Sequence, residues 1–259
     1  MERNATAPES GARPRLQTRK LIIGIVALFA LACLIALGAL FKIAHQLNRG
    51  ESEKSTFYAE KALQQRLDAS RQFISSYSVW DAAYQHLNGT VDKHWAYAEK
   101  NVGESLYTAS GYEGVFVIDE RRTTYALFKG QLSDSPASAY LDAPFAPIVE
   151  EARALAASRQ QLSRYVLFNG WPAILTAAAI RPDADVLDID PKTTAVMLFV
   201  DQLTQAKLDK LSSDAGLAGM HVVKSGSESG VAPSLPLDAI GYSLQWSPPR
   251  PGDRLLWAV

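Results

Sequence analysis

The run Leu21–Phe41, LIIGIVALFALACLIALGALF, carries no charged residue and is closed by Lys20 on one side and Lys42 on the other. As a helix rising about 1.5 Å per residue it reaches about 30 Å, the hydrocarbon thickness of a bilayer. A secretory signal has a shorter apolar core, of about 7 to 15 residues, followed by a small-residue cleavage site. Here the tripeptide that resembles such a site, Ala36-Leu37-Gly38, lies inside the run, so the stretch is read as an uncleaved membrane anchor. The preceding stub holds Arg3, Arg13, Arg15, Arg19 and Lys20 against Glu2 and Glu9, a basic flank that stays cytoplasmic. The large remainder of the chain is then expected outside the cytoplasm.

That remainder is long enough for one domain with a core of its own. A formal net charge of -1 offers no basic surplus for nucleic acid, and 47% hydrophobic residues supply a core. Cys33 is the only cysteine and falls within the apolar run, so no intrachain disulfide can form.

Met1–Gln17, rich in Ala, Pro, Ser and Gly, is expected to be disordered. From Lys42 to Asn88 the sequence stays helix-compatible, interrupted only by Gly50, which predicts a long helix leading out of the anchor or restarting after Gly50. Phe73, Tyr77, Trp80, Tyr84 and Leu87 recur at steps of four and three, one narrow helical face, with Asp81 beside it. Such a stripe reads as core against a sheet, or as the lining of a ligand site in which the carboxylate pairs with an amine. A second aromatic cluster, Trp95, Tyr97 and Asn101, follows on a short helix that would fold back toward Trp80 and Tyr84. The candidate ligand-binding residues are therefore Tyr77, Trp80, Asp81, Tyr84, Trp95, Tyr97 and Asn101, and an amine-bearing small molecule is the expected ligand. Leu63, Leu67, Ser70, Ile74 and Tyr77 also keep heptad-like spacing, which predicts a two-helix seam and a homodimer; the competing reading packs them on their own domain.

From Gly111 the texture turns extended. Gly114–Asp119 and Thr123–Lys129 predict two antiparallel strands around a charged turn, and Ala143–Arg159 a helix with Pro144 and Pro147 at its entry. Arg164–Phe168 and Trp171–Leu175 flank Asn169-Gly170, the signature of a type I′ hairpin. A strand at Thr194–Val200, a helix at Leu203–Ser213, a strand at Met220–Val223, a loop at Ser225–Pro236 and a short strand at Tyr242–Trp246 complete the prediction. This order describes an α+β domain with a mostly antiparallel sheet and a long N-terminal helix.

Catalytic motifs are missing: there is no G-x-G-x-x-G, phosphate-binding loop, H-E-x-x-H or G-x-S-x-G. His45, His86, His94 and His221 lack metal-pair spacing, and neither a metal nor a cofactor is expected.

The run Tyr77-Ser-Val-Trp80-Asp81-Ala-Ala-Tyr84, then Trp95, Tyr97 and Asn101, then Gly114-Val-Phe-Val-Ile-Asp119, resembles the fourth class of CHASE domain, the extracytoplasmic sensor of bacterial signalling receptors. The exit Trp246-Ser-Pro-Pro-Arg-Pro251-Gly252-Asp-Arg-Leu-Leu256 is similar to the stretch leading into a second membrane helix. The resemblance covers about Tyr58–Val259. It departs from the family pattern at Ala82, where a second acid is usual, and at Arg121 and Arg122, where a glycine is usual. It implies a PAS/Cache-like ectodomain in the periplasm, anchored in the bacterial inner membrane upstream of GGDEF and EAL domains that turn over cyclic di-GMP, or of a histidine kinase, none of which is in this sequence.

The expected organisation is a stub at 1–20, a transmembrane helix at 21–41, a juxtamembrane helix at 42–56, a sensor domain at 57–253 and the start of a second transmembrane helix at 254–259. The apolar end Leu255–Val259 implies continuation into that helix and a cytoplasmic output. The expected function is extracytoplasmic signal input to a membrane receptor, with no catalysis in this chain. The alternatives are a ligand-free dimerisation or partner-binding ectodomain, and a membrane-anchored periplasmic hydrolase.

Overall fold

The structure is a computed structural model and describes residues 13–183, 193–227, 232–237 and 240–247. Of the stub expected to be disordered, residues 1–12 lie outside the described residues, whereas Arg13–Gln17 is helical as the start of a long helix; much of the loop at 181–192 and the Pro-Gly exit with its apolar end also lie outside them. The chain forms two compact units, Met1–Glu53 and Lys54–Val259.

Helix α1, Arg13–Ser78, contributes to both units. In the first, Arg19–Ile43 is long and apolar enough to cross a membrane, and none of that stretch is buried by the rest of the chain. In the second, α1 is followed by α2 (Asp81–Leu87), a π-helical turn at His94–Ala98 and α3 (Ser105–Thr108). Strands β1 (Gly114–Asp119), β2 (Arg122–Phe128) and β3 (Gln131–Leu132) come next, then helix α4 (Ala146–Leu155). The hairpin β4 (Leu162–Phe168) and β5 (Trp171–Ala179) leads to β6 (Val196–Gln202), α5 (Gln205–Asp214) and β7 (Ala218–Lys224). Strands β8 (Ser234–Leu237) and β9 (Tyr242–Ser247) complete the described residues.

A six-stranded antiparallel sheet runs β3-β2-β1-β6-β5-β4, and a separate three-stranded sheet runs β7-β9-β8. The fold is α+β with antiparallel sheets. Strand β8 lies where the sequence reads as a loop: Pro236 is tolerated because β8 is an edge strand, paired only to β9.

The period of two along each strand sorts the core. Val115, Val117, Tyr125, Leu127, Met197 and Phe199 face α1, α2 and the π-helical turn. Phe116, Ile118, Val166, Leu175, Leu198 and Val200 face α4 through Ile148, Val149 and Ala152. A third cluster joins Ala59 and Leu63 of α1 to Leu208 of α5 and to Met220, Leu244 and Trp246 of the small sheet. The hairpin follows its sequence signal: Asn169 and Gly170 have φ of 51° and 71°, as a type I′ turn needs, and Phe168 pairs with Trp171.

Two further expectations are corrected. The helix does not run through to Asn88. Val79 forms a parallel bridge with Arg181, Trp80 is extended at φ −162° and ψ 127°, and the Trp80 N–H donates to the Arg181 carbonyl at 3.0 Å. No glycine or proline marks this break; tertiary pairing with an extended segment overrides local helix propensity, and a β-branched and an aromatic residue suit that conformation. The expected seam is also not on the surface. Leu63, Ser70 and Ile74 are buried and Leu67 and Tyr77 are partly buried, all turned toward the domain's own sheets.

Candidate functional site

The aromatic stripe, divided between α1 and α2, packs against one face of the large sheet. Phe73 lies 5.2 Å from Tyr77 and stacks on Tyr112 at 5.3 Å, and Tyr77 meets Phe199 edge-on at 5.7 Å. Burial raises the Tyr77 phenol above its ordinary value. Trp80 meets Trp95 at 5.2 Å, the contact expected from the sequence, and His86 stacks flat on Trp95 at 4.6 Å.

The π-helical turn is held by its neighbours. Asp92 Oδ1 accepts the Trp95 N–H at 3.0 Å, and its Oδ2 lies 3.2 Å from His86 Nδ1. The hydrogen bond from Trp95 is the main reason that the Asp92 carboxyl titrates below its ordinary value, with His86 adding to it. Asn101 Nδ2 donates to the Trp95 carbonyl at 2.9 Å, and Tyr97 Oη donates to Gln131 Oε1 at 3.4 Å. Asn88, at the end of α2, accepts the Ala195 N–H at 2.7 Å and so ties this layer to the start of β6.

Asp81 stands apart from the rings in role. It is exposed, opens α2 where an acid complements the helix dipole, and its Oδ1 accepts the Asp183 N–H at 2.9 Å. The structure thus brings Trp80, Trp95 and His86 into one cluster and gives Tyr77, Tyr84 and Tyr97 packing positions on the same core. Asp81 and Asn101 serve backbone groups.

A group that the sequence reading does not single out lies where α1 crosses the ends of β1 and β6. Asp201, the next-to-last residue of β6, accepts Arg66 Nε at 2.6 Å, Arg66 Nη2 at 2.8 Å and Lys207 Nζ at 2.7 Å. Lys207 of α5 also donates to both Glu113 oxygens, at 2.8 and 2.9 Å, and to the Gly111 carbonyl at 2.5 Å. Glu113 accepts the Gln202 N–H at 2.8 Å, and one turn along α1 Ser70 shares a hydrogen bond with Thr176 of β5 at 2.7 Å. Burial alone would lower the Arg66 pKa; the bond to Asp201 and its charge, with Tyr112 and Glu113, outweigh burial and raise it. Two cations and two buried carboxylates therefore fasten α1 and α5 to the sheet. The available signal was an acid directly abutting each buried strand, Glu113 before GVFVI and Asp201 after VMLFV.

Two pockets are defined by described residues. One, of about 590 Å³, lies between the β1–β2 turn, the end of α2 and α4; the other, of about 420 Å³, lies beside α4 and β4 and reaches Ile240. The aromatic cluster lines neither of them. Among the described residues no group of three or more His, Cys, Asp and Glu side chains is placed to hold a metal ion.

The sequence matches the model of the CHASE4 domain over residues 62–223. A comparison with curated proteins finds no match. The match takes in the Trp80 to Asn101 segment, the whole six-stranded sheet and α5, and the first unit brings an apolar helical stretch of membrane-spanning length. The chain therefore belongs to the CHASE4 family, the extracytoplasmic sensor domains of signalling receptors.

Proposed function

We propose that this chain is the signal-input region of a bacterial receptor in the inner membrane, with its Lys54–Val259 unit in the periplasm and cyclic di-GMP turnover as the cytoplasmic output. The observation that carries this reading is the polar fastening of α1 in that unit. Apolar packing alone would hold a helix on a sheet; Arg66–Asp201–Lys207–Glu113 adds directional bonds that hold one arrangement and are lost together in another. The helix so fastened carries, in its N-terminal part, the apolar Arg19–Ile43 stretch. The aromatic cluster serves as the packing that makes α2 and the π-helical turn follow the sheet. The output is supported by the family resemblance, in which such domains precede GGDEF and EAL domains.

The test places residues 1–259 ahead of the membrane helix and diguanylate cyclase domain of a reporter receptor. Asp201→Asn should change basal cyclic di-GMP in cells at equal membrane abundance. An output identical to that of the unsubstituted fusion would overturn the reading.

A further inference from the structure

We propose that the pocket between the β1–β2 turn and α4 binds a small zwitterion of the α-amino acid class, with its carboxylate on Arg153 and its ammonium group on Glu150. The proposal deepens the sensor reading, from which it takes only that this unit meets extracytoplasmic solutes.

The pocket holds about 590 Å³, within the range of small-molecule sites. On its α4 wall the Arg153 guanidinium is aimed by one bond, Nε to the Thr194 carbonyl at 2.9 Å. Its Nη2 is buried and has no hydrogen-bond partner among the described residues. A buried charged donor left without an acceptor is costly, and folded proteins rarely leave one so. A guanidinium fixed at Nε with a free outer edge presents the fork that a carboxylate fits. Arg121 and Arg122, at the turn, line the same pocket and make no ion pair or side-chain hydrogen bond among the described residues, so they add an attractive field at its mouth.

The acids decide what else the ligand carries. Asp119, Glu120 and Glu150 line the pocket with the three arginines, so its formal charge is zero and both the turn and α4 carry both signs. A dianionic phosphate would meet as many carboxylates as guanidiniums. A molecule bearing both charges matches both. Asp119 Oδ1 is engaged by the Glu120 N–H at 2.9 Å; Glu120 and Glu150 are both exposed and make no ion pair among the described residues, and of the two only Glu150 sits one turn before Arg153 on the same helix. Glu150 is therefore the acid placed to receive an ammonium group while Arg153 holds the carboxylate.

Calorimetry on the full chain in lipid nanodiscs tests this, with the twenty standard amino acids, propionate and inorganic phosphate as probes. At least one amino acid should bind, with propionate at least about tenfold weaker and phosphate silent. Arg153→Gln should weaken the amino acid at least about tenfold, and Glu150→Gln should weaken the amino acid but not propionate. Arg121→Ala, in an exposed turn, should also weaken it and serves if Arg153→Gln fails to fold. No heat with any amino acid, phosphate binding more tightly than amino acids, or folded variants binding like wild type would overturn the site. Binding that leaves the reporter output unmoved would overturn the sensor reading and leave the site standing.

Discussion

Replacing Asp201 by Asn keeps the shape of the side chain and removes one charge from the quartet that fastens α1. The three bonds to Asp201 come from Arg66 and Lys207, and its side chain is 8% exposed. Breaking a buried pair by removing one partner costs about 3–5 kcal/mol, because the other charge is left uncompensated. Lys207 retains Glu113 here, and the Arg66 side chain, 27% exposed, can regain water. These discounts place the loss near the lower end, about 3 kcal/mol. For a domain of this size each kcal/mol moves the melting temperature by about 2–4 °C, so a fall of about 6–12 °C is expected. Thermal unfolding of the full chain in detergent, followed by near-ultraviolet circular dichroism, measures it. The paired variant Arg66→Met/Asp201→Leu should lose less than Asp201→Asn alone, since no cation is stranded. A fall under about 2 °C for Asp201→Asn, or a paired variant that loses at least as much, would refute the claim that this contact is a buried, coupled fastening.

Three further outcomes follow from particular contacts. Burial raises the phenol pKa of Tyr125, and likewise of Tyr112 and Tyr77, so the native state favours their neutral forms; that stability is whole below about pH 10 and is lost as pH rises through the folded values. Tyr125→Phe should therefore shift alkaline unfolding to higher pH, while at neutral pH losing about 0.5–1.5 kcal/mol with the 2.6 Å bond to the Val102 carbonyl, as denaturant titration would read. Gly114→Ala would set a Cβ 2.8 Å from the Phe116 ring and 2.9 Å from that of Phe168, both buried, and should cost about 1–3 kcal/mol by the same titration. In a Cys33→Ser background, Gln72→Cys, on an exposed position of α1, should react with a membrane-impermeant maleimide added to intact spheroplasts; labelling only after lysis would reverse the proposed orientation.

Most elements are legible in the sequence because their signals are local. Asn169-Gly170 dictates its turn, and the unbroken apolar runs within Gly114–Asp119 and Val196–Gln202 dictate two-sided burial between helical layers. What escapes is whatever depends on a distant partner. The break at Val79–Trp80 exists because Arg181 is there to pair with it, and no residue near the break announces it. The same holds for the seam: heptad-like spacing along Leu63–Tyr77 is identical for a helix on a second copy and for a helix on its own sheet. The candidate ring residues Trp80 and Trp95 do meet, as their proximity in sequence implies, but the Arg66–Asp201–Lys207–Glu113 quartet spans four separate segments and has no spacing to read. Asp81 is misleading for a different reason, since an acid at a helix start serves the backbone as readily as a ligand.

The bonds Arg66–Asp201 and Ser70–Thr176 also set a ruler. Asp201 lies opposite Ile174 across the β5–β6 ladder, two residues from Thr176 on β5, while Arg66 and Ser70 are four residues apart on α1. Two strand residues advance about 6.6 Å and neighbouring strands lie about 4.8 Å apart, so the two sheet partners stand about 8 Å apart on a diagonal against about 6 Å between the two helical residues, a difference that the long Arg66 side chain spans. Displacement of α1 along its axis by a fraction of a turn breaks both bonds at once, and a full turn brings Arg66 to the place of Ser70, against a threonine that cannot neutralise it. Piston-like travel of α1 over this sheet is thus the stiff direction. Rolling or tilting about the two pinned points is the compliant one.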